Sequence, residues 1–177
     1  MQKKPYKIMT LIVLAIYSIL IFSFLSLKIG NWFVEKSDNE IVVNSEKEEG
    51  ESFSEYAKRV TNLVPFRTIK GYITRLKNKD ILPIYAFQFF VLNLVAAFPY
   101  GLLLPVAFKK LRHFWGTVGC VFVIAAMKEI FKLFITVGRC DIDAVILNVV
   151  GGMFGFMIFM LIYKNPSIKG SIISMGE

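Results

Sequence analysis

The sequence predicts an all-α integral membrane protein: a four-transmembrane-helix bundle with short amphipathic interfacial helices in the first extracytoplasmic loop. Three observations predict it. Hydrophobic side chains make up 55% of the 177 residues and charged ones only 19%, against about 45–50% and about 25% in soluble domains. The mean hydropathy is +0.58. The apolar residues also gather into stretches close to the ~20 residues that a bilayer core demands of one helix. These run from Ile8 to Leu27, Ile84 to Phe108, Phe114 to about Thr136, and Ala144 to Tyr163. A soluble globular enzyme is thereby excluded.

The first stretch follows the basic start MQKKPYK. It is longer than the about 7–15 apolar residues of a signal peptide, and no A-x-A-like site precedes Lys28 and Gly30. Residues 1–28 are therefore expected to be an uncleaved anchor. Residues 29–80 form an extracytoplasmic loop too short and too charged to bury a sizeable core. Its acidic part, Glu35 to Glu51, carries Ile41, Val42 and Val43 without helical period and reads as a flexible loop. From Ser52 the pattern turns amphipathic. Phe53, Tyr56, Ala57, Val60 and Leu63 share one helical face, and Ile69, Tyr72, Ile73 and Leu76 another, with a break near Pro65. The second of these helices carries Lys70, Arg75, Lys77 and Lys79 on its polar side. Such a helix suits the headgroup layer, with the four cations against anionic lipid phosphates. A solvated helix packed on the bundle is the other reading.

Residues 81–163 are read as a three-helix transmembrane core and 164–177 as a cytoplasmic tail. Orientation follows from the short basic flanks. Lys3, Lys4 and Lys7 precede the first span, Lys109, Lys110 and Arg112 fill the second link, and Lys164 and Lys169 follow the fourth span. All three flanks fit the inside, which places both termini in the cytoplasm. The net charge of +8 is thus mainly a topology signal. Nucleic acid is not expected as a partner, because no soluble module offers a basic face. Cys120 and Cys140, 20 positions apart, would lie about 30 Å apart on a helix, beyond disulfide reach.

Polar residues within spans are costly and each needs a reason. The second span holds Gln88 and Asn93, then Pro99, Gly101 and Pro105. Pro99 frees the carbonyl of Val95 and is expected to kink the helix. Asn93 fits either an interhelical hydrogen bond or a ligand contact. The third span contains Lys128, Glu129 and Lys132, spaced so that the carboxylate can pair with an ammonium on its own helix. Either the lysines snorkel outward or the carboxylate faces the bundle interior. The fourth span presents Asn148, Gly151, Gly152 and Gly155, the glycines allowing close contact within the bundle or between copies. Before it, Arg139, Asp141 and Asp143 crowd one outer turn. With Gln88, Asn93, Glu129, Lys132 and Asn148 they outline an outward-facing polar pocket. One His and two distant cysteines provide neither a transition-metal site nor a Cys-His nucleophile, and no cofactor is expected, while two carboxylates could in principle bind Mg²⁺ or do acid-base work.

These residues carry a resemblance. NLVPF at Asn62 to Phe66 followed by RTIKGYI, the Asn93 helix continuing to FPYGLLLP, Glu129, and DIDAVILNVVGG from Asp141 to Gly152 together resemble the VanZ-like family of membrane proteins. The resemblance spans roughly Asn62 to Gly155. It implies a four-helix membrane protein that lowers susceptibility to lipid-anchored glycopeptides of the teicoplanin type. It carries over to Asn93, Glu129, Asp141, Asn148, Gly151 and Gly152. Two positions depart from the family pattern: Lys132 stands where the family has Gln, and Ala144 where it has Asp.

The leading expectation is a non-enzymatic protein of the bacterial cell membrane. It would engage a phosphate-bearing lipid or a lipoglycopeptide through the polar pocket and the basic helix, with no catalytic residue. A small membrane enzyme acting on a lipid-linked phosphate, and an ion- or proton-coupled transporter, stay open as alternatives, as does a homo-oligomer.

Overall fold

The computed structural model describes residues 5–26, 47–136, 138–166 and 170. Most of the acidic stretch, the N-terminal Lys3 and Lys4, and Lys169 lie outside the described residues. The chain runs α1 (Pro5–Ser26), α2 (Phe53–Val60), β1 (Thr61–Asn62), α3 (Arg67–Asn78), α4 (Pro83–Ala107), a 3-10 turn (Lys109–Leu111), α5 (Phe114–Phe134), β2 (Cys140–Asp141) and α6 (Ile142–Tyr163). Among the described residues the six α-helices fall where the hydrophobic pattern predicts them. The fold is all-helical, with one short addition: β1 and β2 pair in parallel, Thr61 with Cys140 and Asn62 with Asp141. Two residues per strand leave no period for a sequence to display.

Local chemistry sets the element ends. Ser52 caps α2 reciprocally with Glu55, satisfying two amides that the first turn leaves unpaired. Pro83 opens α4, where its missing N–H removes no helical bond. Thr136 and Gly138 both adopt positive φ, 51° and 79°. The second is a glycine because that conformation is costly with a Cβ. Both lie in the link between α5 and β2.

The four long helices pack mainly through α4 and α6, with α5 against α6 and α1 against α4. Glycine makes the α4–α6 contact possible. A Cβ on Gly151 would stand 2.0 Å from the carbonyl oxygen of Leu94, one on Gly155 2.1 Å from that of Phe98, and one on Gly101 1.9 Å from that of Gly152. Gly152 itself abuts Val121 of α5. The small-residue face is thus used inside the chain. Along α4, Pro99 removes the helical donor to Val95 O, and the Tyr17 hydroxyl of α1 donates to Ala96 O at 2.8 Å and lies 3.5 Å from Val95 O. A neighbouring helix thereby serves acceptors near the proline, as apolar surroundings require. Leu14, Ala97, Tyr100, Leu104, Ala107 and Val121 form the main apolar core.

The perimeter is apolar as well. Trp115, Phe122, Met127, Phe154, Met157 and Leu161 are exposed, whereas Lys128, Glu129 and Asn148 are buried between helices. A polar interior within an apolar exterior is the arrangement that lipid requires. α4 and α6 are long and apolar enough to cross a membrane, while the described apolar stretch of α1, Ile8–Ile21, is shorter. Lys128, Glu129 and Lys132 interrupt the hydropathy of α5.

Because the α4–α6 contact is backbone against backbone, Gly155→Leu should overpack it by about 1–3 kcal/mol. Thermal unfolding of the purified chain should show a clear loss of Tm. Gly119→Ala, where a Cβ meets nothing within 4 Å, should leave it unchanged.

Candidate functional site: a buried polar network beneath a capping segment

The polar residues singled out in sequence converge where α5 ends and α6 begins. Glu129 is 2% exposed. Its Oε2 lies 2.5 Å from Lys132 Nζ and accepts the Asp141 amide at 3.1 Å, and its Oε1 lies 3.6 Å from Lys128 Nζ. An isolated buried carboxylate is strongly unfavourable, and two ammonium groups and an amide offset that cost. Lys128 does not snorkel outward. Its ammonium donates to Asn148 Oδ1 at 3.1 Å and Asn93 Oδ1 at 3.3 Å. Asn148 Nδ2 also donates to Asn93 Oδ1 at 2.9 Å and to the Ala144 carbonyl at 2.6 Å. Asn93 donates to the Phe89 carbonyl at 2.7 Å. One lysine thus joins three helices.

The two aspartates face the segment from β1 to α3. Asp141 caps α6 by accepting the Asp143 amide at 2.9 Å, and it accepts Asn62 Nδ2 at 3.0 Å and Thr68 Oγ1 at 2.5 Å. Asp143 accepts the amides of Phe66 at 2.5 Å and Ile69 at 3.0 Å. These amides lie at the N-terminus of α3, where Phe66 offers no capping side chain. Asp143 of α6 therefore supplies the cap from another helix, favoured by the positive end of the α3 dipole.

Asn93, Glu129, Lys132, Asp141, Asp143 and Asn148 thus meet in one connected layer. Its members are packed against one another, and no open cavity lined by all of them separates them among the described residues. The physical reason is that buried polar groups satisfy one another before they leave a void. A small enclosed cavity between α1, α4, α5 and α6 touches the layer at Lys128 and Asn148, but its other walls are apolar, among them Ala97, Tyr100 and Val121. Gln88 is half-buried and makes no hydrogen bond to the layer. Arg139 sits beside the layer, half-buried, its Nε without a hydrogen-bond partner among the described residues.

Sequence reasoning missed Asn62 and Thr68 as members, although both lie in the NLVPFRT segment. It also left Lys128 out of the site. Among the described residues no group of three or more His, Cys, Asp or Glu converges as a metal site. Burial and the nearby Glu129 charge push the Cys140 thiol up, keeping it protonated and unreactive at neutral pH.

On α3, Lys70, Lys77 and Lys79 are exposed and Arg75 is half-buried. The helix rests on α4 through Tyr72, stacked on Phe89 at 4.8 Å and edge-on to Phe90 at 6.2 Å. The loop before it exposes Leu63, Val64 and Phe66. The helix is therefore packed on the bundle with its cations outward.

If Asp143 supplies the α3 cap, Asp143→Ala should release that helix at a cost of about 1–2 kcal/mol. Hydrogen exchange should show faster exchange at the Phe66 and Ile69 amides, with the interior of α4 unchanged.

The VanZ/LLP1 family model matches residues 10–163. A curated relative, Protein VanZ of Enterococcus faecium, is 32% identical over 114 residues, which is 64% of this chain and 61% of that protein. The chain thus spans about three fifths of the length of the curated relative it matches. No solved structure matches. With the family model covering most of the chain, including every residue of the polar layer, the chain belongs to the VanZ/LLP1 family.

Proposed function

We propose that this chain is a multi-pass protein of the bacterial cell membrane that lowers susceptibility to lipid-anchored glycopeptides of the teicoplanin type. It acts by engaging a membrane lipid or the lipoglycopeptide itself at its outer polar face. In this reading α1, α4, α5 and α6 span the bilayer, both termini are cytoplasmic, and α2 and α3 lie on the outer surface.

The observation that carries the reading is the one-sided polarity of the bundle. Charged and amide side chains gather at the end of α5 and the start of α6, beneath an outer segment held down by Asp141 and Asp143. Elsewhere the long helices expose large apolar side chains, among them Trp115, Phe122, Phe154 and Leu161. Intramembrane ionisable groups mark functional sites by default. Family membership and the VanZ relative support the resistance role, and the exposed lysines of α3 favour anionic lipid headgroups. The buried layer acts here as a positioning device. It fixes the depth and tilt of the outer segment, and that segment meets the ligand.

The test is susceptibility in a Gram-positive host carrying no copy, the wild-type gene, or Glu129→Gln with membrane levels matched. The wild type should raise the inhibitory concentration of teicoplanin, leave that of vancomycin unchanged, and lose its effect on substitution. No shift for the wild type, with expression verified, would contradict the reading.

A further inference from the structure

The link between β1 and α3 turns its side chains away from the bundle. Leu63 is 72% exposed, Val64 56% and Phe66 50%, and Pro65 between them is exposed as well. The backbone beneath them is nonetheless tied down. The Val64 amide donates to Asn62 Oδ1 at 3.2 Å, and the Phe66 and Ile69 amides donate to Asp143. Phe66 also adopts a left-handed backbone, with φ 65°, which is costly for a bulky residue and persists only where the surrounding structure enforces it. The fold therefore holds an aromatic ring outward against its local preference, within a run of exposed apolar residues. Such patches mark protein or membrane interaction sites.

The patch continues into the apolar perimeter of the bundle. Leu63 lines an open groove with Phe53, Ala57, Lys58 and Thr61, and Phe53 stacks on Phe134 of α5 at 6.1 Å. Phe134 is itself exposed. Cations border the same surface. Lys58 in the groove and Arg67 beside Phe66 are exposed. On α3, Phe66, Lys70, Ile73 and Lys77 recur at the three- and four-residue spacing of one helical face, and all four are exposed. One face thus alternates large apolar side chains with ammonium groups. Water does not favour the first, and the core of a protein interface is depleted in the second. An anionic lipid surface takes both, because lysine stems lie along acyl chains while their heads reach the phosphates.

We propose that Leu63, Val64 and Phe66 form a rigid apolar wedge inserted into the lipid leaflet around the bundle, with Lys58, Arg67, Lys70 and Lys77 at the level of the lipid phosphates. The ties to Asn62 and Asp143 make the wedge stiff, so the polar layer sets how deep it sits. The inference deepens the proposed function and rests on it in placing the segment from β1 to α3 at the membrane surface.

The test uses the full chain in nanodiscs of phosphatidylcholine with phosphatidylglycerol. Cys120 and Cys140 are changed to Ser, and a nitroxide is attached through Leu63→Cys, Val64→Cys or Glu49→Cys. Power saturation compares collisions with oxygen, which concentrates in hydrocarbon, and with a polar nickel chelate, which stays in water. The labels at 63 and 64 should collide several-fold more with oxygen than with the chelate. The label at Glu49, in an exposed acidic turn, should show the reverse. Folding is verified by gel filtration and Tm. Should the background without cysteines fail to fold, quenching of Val64→Trp by brominated lipid, read against wild type, decides the question, and its absence overturns the wedge.

Insertion is likewise overturned if the labels at 63 and 64 meet the chelate as the Glu49 label does. Shielding from both reagents with spin–spin broadening would put a second copy on the patch and overturn it too. So would labels that leave the chelate only when teicoplanin is added, which would assign the patch to that ligand. An inserted wedge in a chain whose wild-type gene leaves glycopeptide susceptibility unaffected would remove the proposed function and leave the insertion standing. Labels in water with resistance intact would do the opposite.

Discussion

A carboxylate held at 2% exposure between apolar helices must be neutralised where it stands, and the geometry around Glu129 follows from that constraint. Lys132 supplies the closest charge, Lys128 a second, and the Asp141 amide a hydrogen bond. That amide belongs to the β2 strand, so neutralising Glu129 fixes the turn that leads into α6. The β2 strand in turn pairs with β1, and its Asp141 side chain takes Asn62 and Thr68. A single buried charge is thus linked, bond by bond, to the segment of Asn62 and Thr68, some 60 residues earlier in the chain.

The network works because its members sit on elements whose separation is set independently. Glycines at 101, 151, 152 and 155 bring α4, α5 and α6 close enough for Lys128 to reach both Asn93 and Asn148. With bulkier residues there, the same polar groups would stand too far apart to bond. Packing of small residues and satisfaction of polar groups are therefore one design feature. The aspartates add a third link, since Asp143 caps a helix to which it is not covalently adjacent.

Much of this was legible in the sequence. The long helices follow from apolar runs, and α2 and α3 from the spacing of Phe53, Tyr56, Ile69 and Tyr72 with a break near Pro65. Glu129, Asp141, Asp143 and Asn148 stood out because ionisable or amide groups in apolar stretches demand an explanation. What escaped was long-range. A two-residue strand pair has no period, so β1 and β2 were invisible. The inward path of Lys128 could not be told from snorkelling, because both suit a lysine beside a glutamate on one helix. Asn62 and Thr68 lay in a recognisable segment, yet nothing local revealed that they would face Asp141. Arg139 stood out by composition, whereas the lack of a hydrogen-bond partner for its Nε among the described residues is a property of the folded chain alone.

The central claim is that the charge on Glu129 is matched by Lys132 and that this match holds the segment from β1 to α3 in place. A double-mutant cycle tests it most directly, with unfolding free energies measured for wild type, Glu129→Gln, Lys132→Gln and the double variant in lipid bicelles. The account predicts a favourable coupling of about 1–3 kcal/mol, with the single Glu129→Gln change more harmful than the double one. Additive effects with no coupling would show that the pair is incidental and contradict the account.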